Sequence, residues 1–181
     1  MGYVSGTENY QVITDVFQRL PRRFAPFAEF LAEVMDAEND LTRGQRELVA
    51  LRVSAINGCG YCTGSHLAAV HAFGIAEADI EAATGTGDAA SPEVAALLDF
   101  VTKITLHPHH IAACDIAALT AAGWTESAVE DTIAVAAAFA FMNRLVDGYG
   151  VTGNEDVFGK IGPMIKEFGY APVAQQLRKK A

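Results

Sequence analysis

The 181-residue sequence carries 13 Lys and Arg against 22 Asp and Glu, a formal charge of -9 with a pI near 4.9. Phosphate backbones and anionic lipid demand a basic face, so neither a nucleic-acid nor a membrane-surface partner is expected. Hydrophobic residues make up 51% and charged residues 19%; much of the apolar share is alanine, which favours helix and close helix packing, so an all-α bundle is expected over residues 1-181 as one domain, with no need of disulfide staples.

The N-terminal segment Met1 to Asn9 is polar, with no basic-then-apolar leader, and a cytoplasmic location is the expectation. Val12, Ile13, Val16, Phe17 and Leu20 recur at helical spacing, Pro21 interrupts them, and Phe24, Phe27, Phe30, Leu31, Val34 and Met35 resume the period. Two helices within 8-37 follow, their phenylalanines assigned to core or subunit interface. Thr42 with Gln45 forms a capping-box pattern that opens a third helix running to Asn57-Gly58. Cys59-Gly60-Tyr61-Cys62 then starts a fourth, ending at Gly74. A short helix is expected over Ala76 to Ala83, followed by a turn, Thr84 to Asp88, too short for a phosphate-binding loop.

Ser91-Pro92-Glu93 gives an N-cap, a proline at N1 and a first-turn acid for a helix that His107-Pro108 stops. Another helix begins near Cys114 or Asp115 and ends at Ala122-Gly123, and Thr125 caps a long one continuing to Asp147 and Gly148. Its segment Ile133 to Met142 is apolar but too short to span a bilayer, and is read as buried. The tail 155-181 holds two short helical patterns broken at Pro163 and Pro172, and Arg178, Lys179 and Lys180 suit the negative end of a terminal helix.

Three cysteines in a reducing compartment argue against a structural disulfide framework, and two of them lie close together. At a helix start, free backbone N-H groups and the positive dipole end favour thiolate. One turn separates the sulfurs of Cys59 and Cys62, near enough for one to resolve what forms on the other. His66 stands four residues beyond Cys62 on the same face, within reach for proton exchange, whereas Tyr61 and Ser65 are expected to point elsewhere. An antiparallel hairpin turning at Asn57-Gly58 would carry Glu47 to the other nitrogen of His66 and orient the ring. The helix-start argument makes Cys59 the more exposed and more acidic thiol; the His66 spacing favours Cys62.

Glu47, eleven residues, Cys59-Gly60-Tyr61-Cys62, three residues and His66 resemble the signature of the alkyl hydroperoxidase D family, within the carboxymuconolactone decarboxylase-like superfamily of all-helical proteins. The resemblance centres on 41-74, roughly a fifth of the chain, and Phe141-Met142-Asn143-Arg144 is similar to its relatives as well. It implies an AhpD-like helical bundle and a thiol-dependent peroxidase that needs no cofactor. Cys62 would attack the hydroperoxide and pass through a sulfenic acid, Cys59 would donate a proton and close the disulfide, and Glu47 with His66 would relay protons. A dithiol or protein reductant would reset the pair, and a symmetric homo-oligomer, a trimer or hexamer, is expected. The best-known members carry histidine where this chain has Tyr61, which points to the broader peroxidase-related branch.

Three rival functions share these residues: general thiol-disulfide exchange, a redox-sensing module that uses the same disulfide as a switch, and decarboxylase-type acid/base chemistry with incidental cysteines. Zinc on Cys59, Cys62 and His66, with Glu47 or a distant histidine as fourth ligand, is disfavoured, because no second Cys-x-x-Cys or paired histidine completes a tetrahedron. Glu47 has an alternative use as a surface acid beside Arg43 or Arg46. His107, His109 and His110 read as a solvated turn, Cys114 as a helix-packing residue, and Asn143 and Arg144 as structural.

Overall fold

Capping chemistry sets the helix boundaries in the computed structural model, which describes residues 2-181. Among the described residues ten α-helices follow one another: α1 (Ile13–Arg19), α2 (Pro21–Asp36), α3 (Arg43–Asn57), α4 (Gly60–Phe73), α5 (Glu77–Thr84), α6 (Pro92–Leu106), α7 (Ala113–Ala121), α8 (Glu126–Tyr149), α9 (Glu155–Phe168) and α10 (Ala171–Lys180). A 3-10 turn, Pro108–His110, joins α6 to α7, and no strand occurs among the described residues. The Thr42 hydroxyl accepts from the Gln45 N-H at 3.3 Å while the Gln45 side chain accepts from the Thr42 N-H at 2.9 Å, so the capping box forms. Ser91 and Thr125 accept from the Val94 and Ala128 amides as N-caps.

Helix α3 is the centre of the bundle. It is buried nearly all round, through Leu48, Val49, Ala50, Leu51 and Val53, because α4, α5, α6 and α8 pack on its different sides. Each such buried branched side chain contributes about 1.5–3 kcal/mol against solvent exposure. Two polar devices fix neighbours on it. The fully buried Arg46 donates to the carbonyls of Leu41 (3.0 Å) and Val34 (2.7 Å), to Asn39 Oδ1 (2.6 Å) and to Asp131 Oδ2 (2.6 Å), tying α2, α3 and α8 together. A guanidinium is tolerated there because each of its three nitrogens has an acceptor and one of these is a carboxylate. Asn143, buried on α8, donates to Ser54 Oγ at 3.0 Å and accepts from Asn57 Nδ2 at 2.9 Å, which pins α8 to the end of α3.

Four expectations need correction. Pro163 does not break the tail: α9 runs through it to Phe168. The lost hydrogen bond would have gone to Gly159, where no side chain crowds the ring, and α9 is held from outside by close packing on α4. At that crossing Gly162 sits so near Ala68 that a Cβ would lie 2.4 Å from its carbonyl oxygen. The 133-142 run is not buried throughout, since Ile133 and Phe141 are exposed. Cys114 is exposed rather than packed. Arg144 is exposed as well, bonding only the Ala140 carbonyl one turn back. No helix among the described residues is long and apolar enough to cross a membrane.

Candidate active site

The α3–α4 hairpin turns at Asn57-Gly58 and brings Glu47 against His66. His66 Nδ1 lies 2.7 Å from Glu47 Oε2, and both side chains are buried. A carboxylate can only accept, so Nδ1 carries the proton and Nε2 is left as the basic nitrogen of the ring. The Phe139 ring, from α8, meets the imidazole edge-on with centroids 4.3 Å apart and fixes its plane. Glu47 makes no ion pair with Arg43 or Arg46: Arg46 serves the α2–α3–α8 junction, and Arg43 donates to the carbonyls of Ile165 and Lys166 at the end of α9.

The second oxygen of Glu47 is met from the opposite end of the chain. Tyr170 donates its hydroxyl to Glu47 Oε1 at 2.9 Å. Burial, then the neighbouring Glu47 charge, pushes the Tyr170 phenol well above its ordinary value, so it stays a donor. Its position is built locally. Gly169 takes φ +66°, and a Cβ on it would fall 2.2 Å from Asp36 Oδ1. The chain can therefore lay the first amides of α10 on the Asp36 carboxylate, which accepts from Tyr170 N and Ala171 N at 2.9 Å. The residues read as a C-terminal extension thus complete the Glu47–His66 array.

Beside that array lies a cavity of about 320 Å³. Phe17, Leu31, Phe139, Met142, Ile161 and Met164 are among its apolar walls, with Cys62, His66 and Tyr170 as its chemical wall. Helices α1, α2, α4, α8, α9 and α10 all contribute. Tyr61 and Ser65 line it too, contrary to the expectation that they point elsewhere, because the enclosing helices reach around more of α4 than one stripe. Tyr61 also holds α1 in place. Its oxygen accepts from the free Ile13 N-H at the start of that helix (3.2 Å), its ring leans on Phe158, and burial lifts its phenol to about 12. A tyrosine between the cysteines anchors the helix that roofs the cavity.

The cysteines are not equivalent. Cys62 faces the cavity; Cys59, the N-cap of α4, is 0% exposed and lies behind it. A hydrogen bond with the Cys62 thiol, followed by burial, pushes the Cys59 thiol far above its usual range, so it remains protonated. The expectation that the helix start leaves Cys59 exposed and acidic is therefore wrong: the terminus is covered, and the hydrogen bond with Cys62 together with burial outweighs the dipole. Both are free thiols. His107, His109 and His110 stand exposed around the 3-10 turn, well away from this cavity's lining.

The Carboxymuconolactone decarboxylase family model matches residues 21–103. Among solved structures, an uncharacterized peroxidase-related protein from Ralstonia eutropha JMP134, described as having an alkylhydroperoxidase AhpD core, superposes with a TM-score of 0.74 at 27% identity, covering 82% of this chain and 78% of that one. Residues 21–103 are thus similar to the carboxymuconolactone decarboxylase family, and the fold is that of an AhpD-like core. An uncharacterized peroxidase-related protein from Silicibacter sp. TM1040 shares the fold, with a TM-score of 0.72, 23% identity and coverage of 82% and 79%. No curated protein matches this chain. The region matched by the carboxymuconolactone decarboxylase model holds Glu47, Cys59, Cys62 and His66 but ends before α8, α9 and α10. Tyr170, which no motif announced, lies outside it.

Proposed function

We propose that this protein is a thiol-dependent peroxidase that reduces organic hydroperoxides. The observation that carries the reading is the pairing of a cavity-lining thiol with a base: Cys62 and His66 line one apolar cavity, and Glu47 holds the His66 ring at 2.7 Å through Nδ1. The Cys62 sulfur gives up its proton to His66 and attacks the outer peroxide oxygen; the O–O bond breaks, Cys62 becomes a sulfenic acid, and the alkoxide leaves as the alcohol with a proton from the relay. Cys59, protonated and one turn away, then loses its proton to the site, attacks the Cys62 sulfur and releases water as the disulfide forms. A dithiol reductant returns both cysteines to thiols. The apolar walls favour a substrate with a hydrocarbon body and keep bulk water from the sulfenic acid.

Replacement of Cys62 by serine should reduce peroxide-dependent consumption of a dithiol to the uncatalysed background, and turnover persisting in that variant would sink the assignment. A second reading, acid/base chemistry of decarboxylase type, draws on the matched family and on the Glu47–His66–Tyr170 array, which is complete without either sulfur. Activity that survives alkylation of both cysteines would favour it.

A further inference from the structure

Helix α9 serves two neighbours at once. It packs on α4 at Gly162, where a Cβ would meet the Ala68 carbonyl, and it lays Val157, Ile161 and Ile165 along the cavity. At 100° per residue Lys160 stands about 160° round the helix from Gly162, so it closes the α9 wall of the cavity on the edge farthest from α4, beside Met164. Met164 is 48% exposed and Lys160 is exposed as well, whereas Ile165, Cys62 and His66 are buried. That edge is the mouth of the cavity, and the thiol and imidazole form its floor.

Charge is distributed unevenly around this mouth. Among the described residues the cavity is lined by no Asp, Glu or Arg, and Lys160 is its one permanently charged side chain. The whole chain has 22 acids to 13 bases, yet after Asp156 come five bases, Lys160, Lys166, Arg178, Lys179 and Lys180, and one acid, Glu167. Lys166 donates to the Ala72 carbonyl, Arg178 to Glu29 and Lys180 to Gln18. Lys160 forms no ion pair among the described residues, not even with Asp156 one turn before it. A lysine can lay its stem on an apolar wall and keep its ammonium at the water's edge. An apolar, acid-free cavity with one free cation at its mouth suits a ligand with a hydrocarbon body and a single negative charge. Resting on the peroxidase reading, we infer that the substrate is the hydroperoxide of a medium-chain carboxylic acid, its carboxylate held by Lys160 at the mouth and its peroxide presented to Cys62 inside. At about 30 Å³ per water-sized group, 320 Å³ holds roughly ten such groups, too few for a long acyl tail.

The test compares ω-hydroperoxyoctanoate with its methyl ester, which share the peroxide and the hydrocarbon body. With the full chain and a dithiol reductant, kcat/KM for the carboxylate should exceed that for the ester by roughly five- to tenfold at low salt, chiefly through KM, and the ratio should shrink as salt is added. Lys160→Met should bring the ratio to about one, Lys160→Glu should invert it, and Lys160→Arg should keep most of it. A carboxylate preference that survives Lys160→Met, or a wild type without one, would overturn the assignment while leaving the peroxidase reading intact. Binding of octanoate, which cannot react, is followed separately by ligand-detected NMR and should weaken by a similar factor in Lys160→Met. Octanoate bound through Lys160 by a protein that turns over neither hydroperoxide would overturn the peroxidase reading and keep the carboxylate site; octanoate bound equally well by wild type and Lys160→Met would overturn the site.

Discussion

The α3–α4 hairpin and the α9–α10 tail build the two sides of one cavity, yet only the hairpin announces itself in sequence. The hairpin works through short separations: one turn between Cys59 and Cys62, one turn between Cys62 and His66, and one hairpin between Glu47 and His66. The tail works through a contact 123 residues long, Tyr170 to Glu47, which exists because Gly169 and Asp36 aim α10. The hairpin therefore holds the reacting atoms, and the tail sets the environment in which they react. If that division is right, damage to the hairpin should be chemical, and damage to the tail should be graded and partly structural.

The largest effects belong to the relay. Glu47→Gln or His66→Gln should lower kcat/KM for hydroperoxide by roughly 100-fold or more, the range for losing a positioned acid/base group, with folding retained by circular dichroism. An equal loss from Tyr170→Phe would erase the distinction between the two regions. Gly169→Ala comes next: the positive φ and the Cβ collision with Asp36 should cost about 2 kcal/mol in urea denaturation and carry activity down with it, because Tyr170 is displaced. Tyr170→Phe removes one hydrogen bond to a charged acceptor, and a loss of roughly tenfold in kcat with KM little changed is expected. A change confined to KM would make Tyr170 a wall of the cavity and nothing more.

The smallest effect is in stability against alkali. The Cys59, Tyr61 and Tyr170 groups are all raised in the folded chain, by a thiol hydrogen bond and burial in the first and chiefly by burial in the tyrosines. The folded state keeps these protons where the unfolded chain releases them. Their contribution is complete below the ordinary thiol value near pH 8.5 and is lost as pH climbs toward about 12, where Tyr61 titrates. Urea midpoints measured from pH 7 to 11 should fall, and fall less in Cys59→Ser; a midpoint rising over that range would show that the burial is not what restrains these groups.

What could be read from the sequence follows the same division. Caps at Thr42, Ser91 and Thr125 and the stop at Asn57-Gly58 are local chemistry, so the helices they bound were legible, and so was the Glu47–His66 pair once the hairpin was inferred. Tyr170 was not legible, because a tyrosine after a helix-ending glycine has no spacing signal toward a glutamate in α3. The burial of Cys59 is not legible in sequence, because a helix start is solvated only if nothing covers it. Helical angle alone points Tyr61 and Ser65 away from Cys62 and His66, but that rule assumes a narrow groove where the fold builds an enclosing one. Pro163 misled because the packing of α9 on α4 outweighs one missing hydrogen bond.

Everything proposed for this site turns on Cys62, and not Cys59, meeting the substrate. A single-turnover reaction of the reduced protein with one equivalent of an organic hydroperoxide, run in the presence of a sulfenic-acid trap and read by peptide mass spectrometry, addresses that point directly. Adduct is expected on Cys62 alone in the Cys59→Ser variant, none in Cys62→Ser, and a Cys59–Cys62 disulfide with little adduct in the wild type. Adduct on Cys59, or neither adduct nor disulfide after the peroxide is consumed, would contradict it.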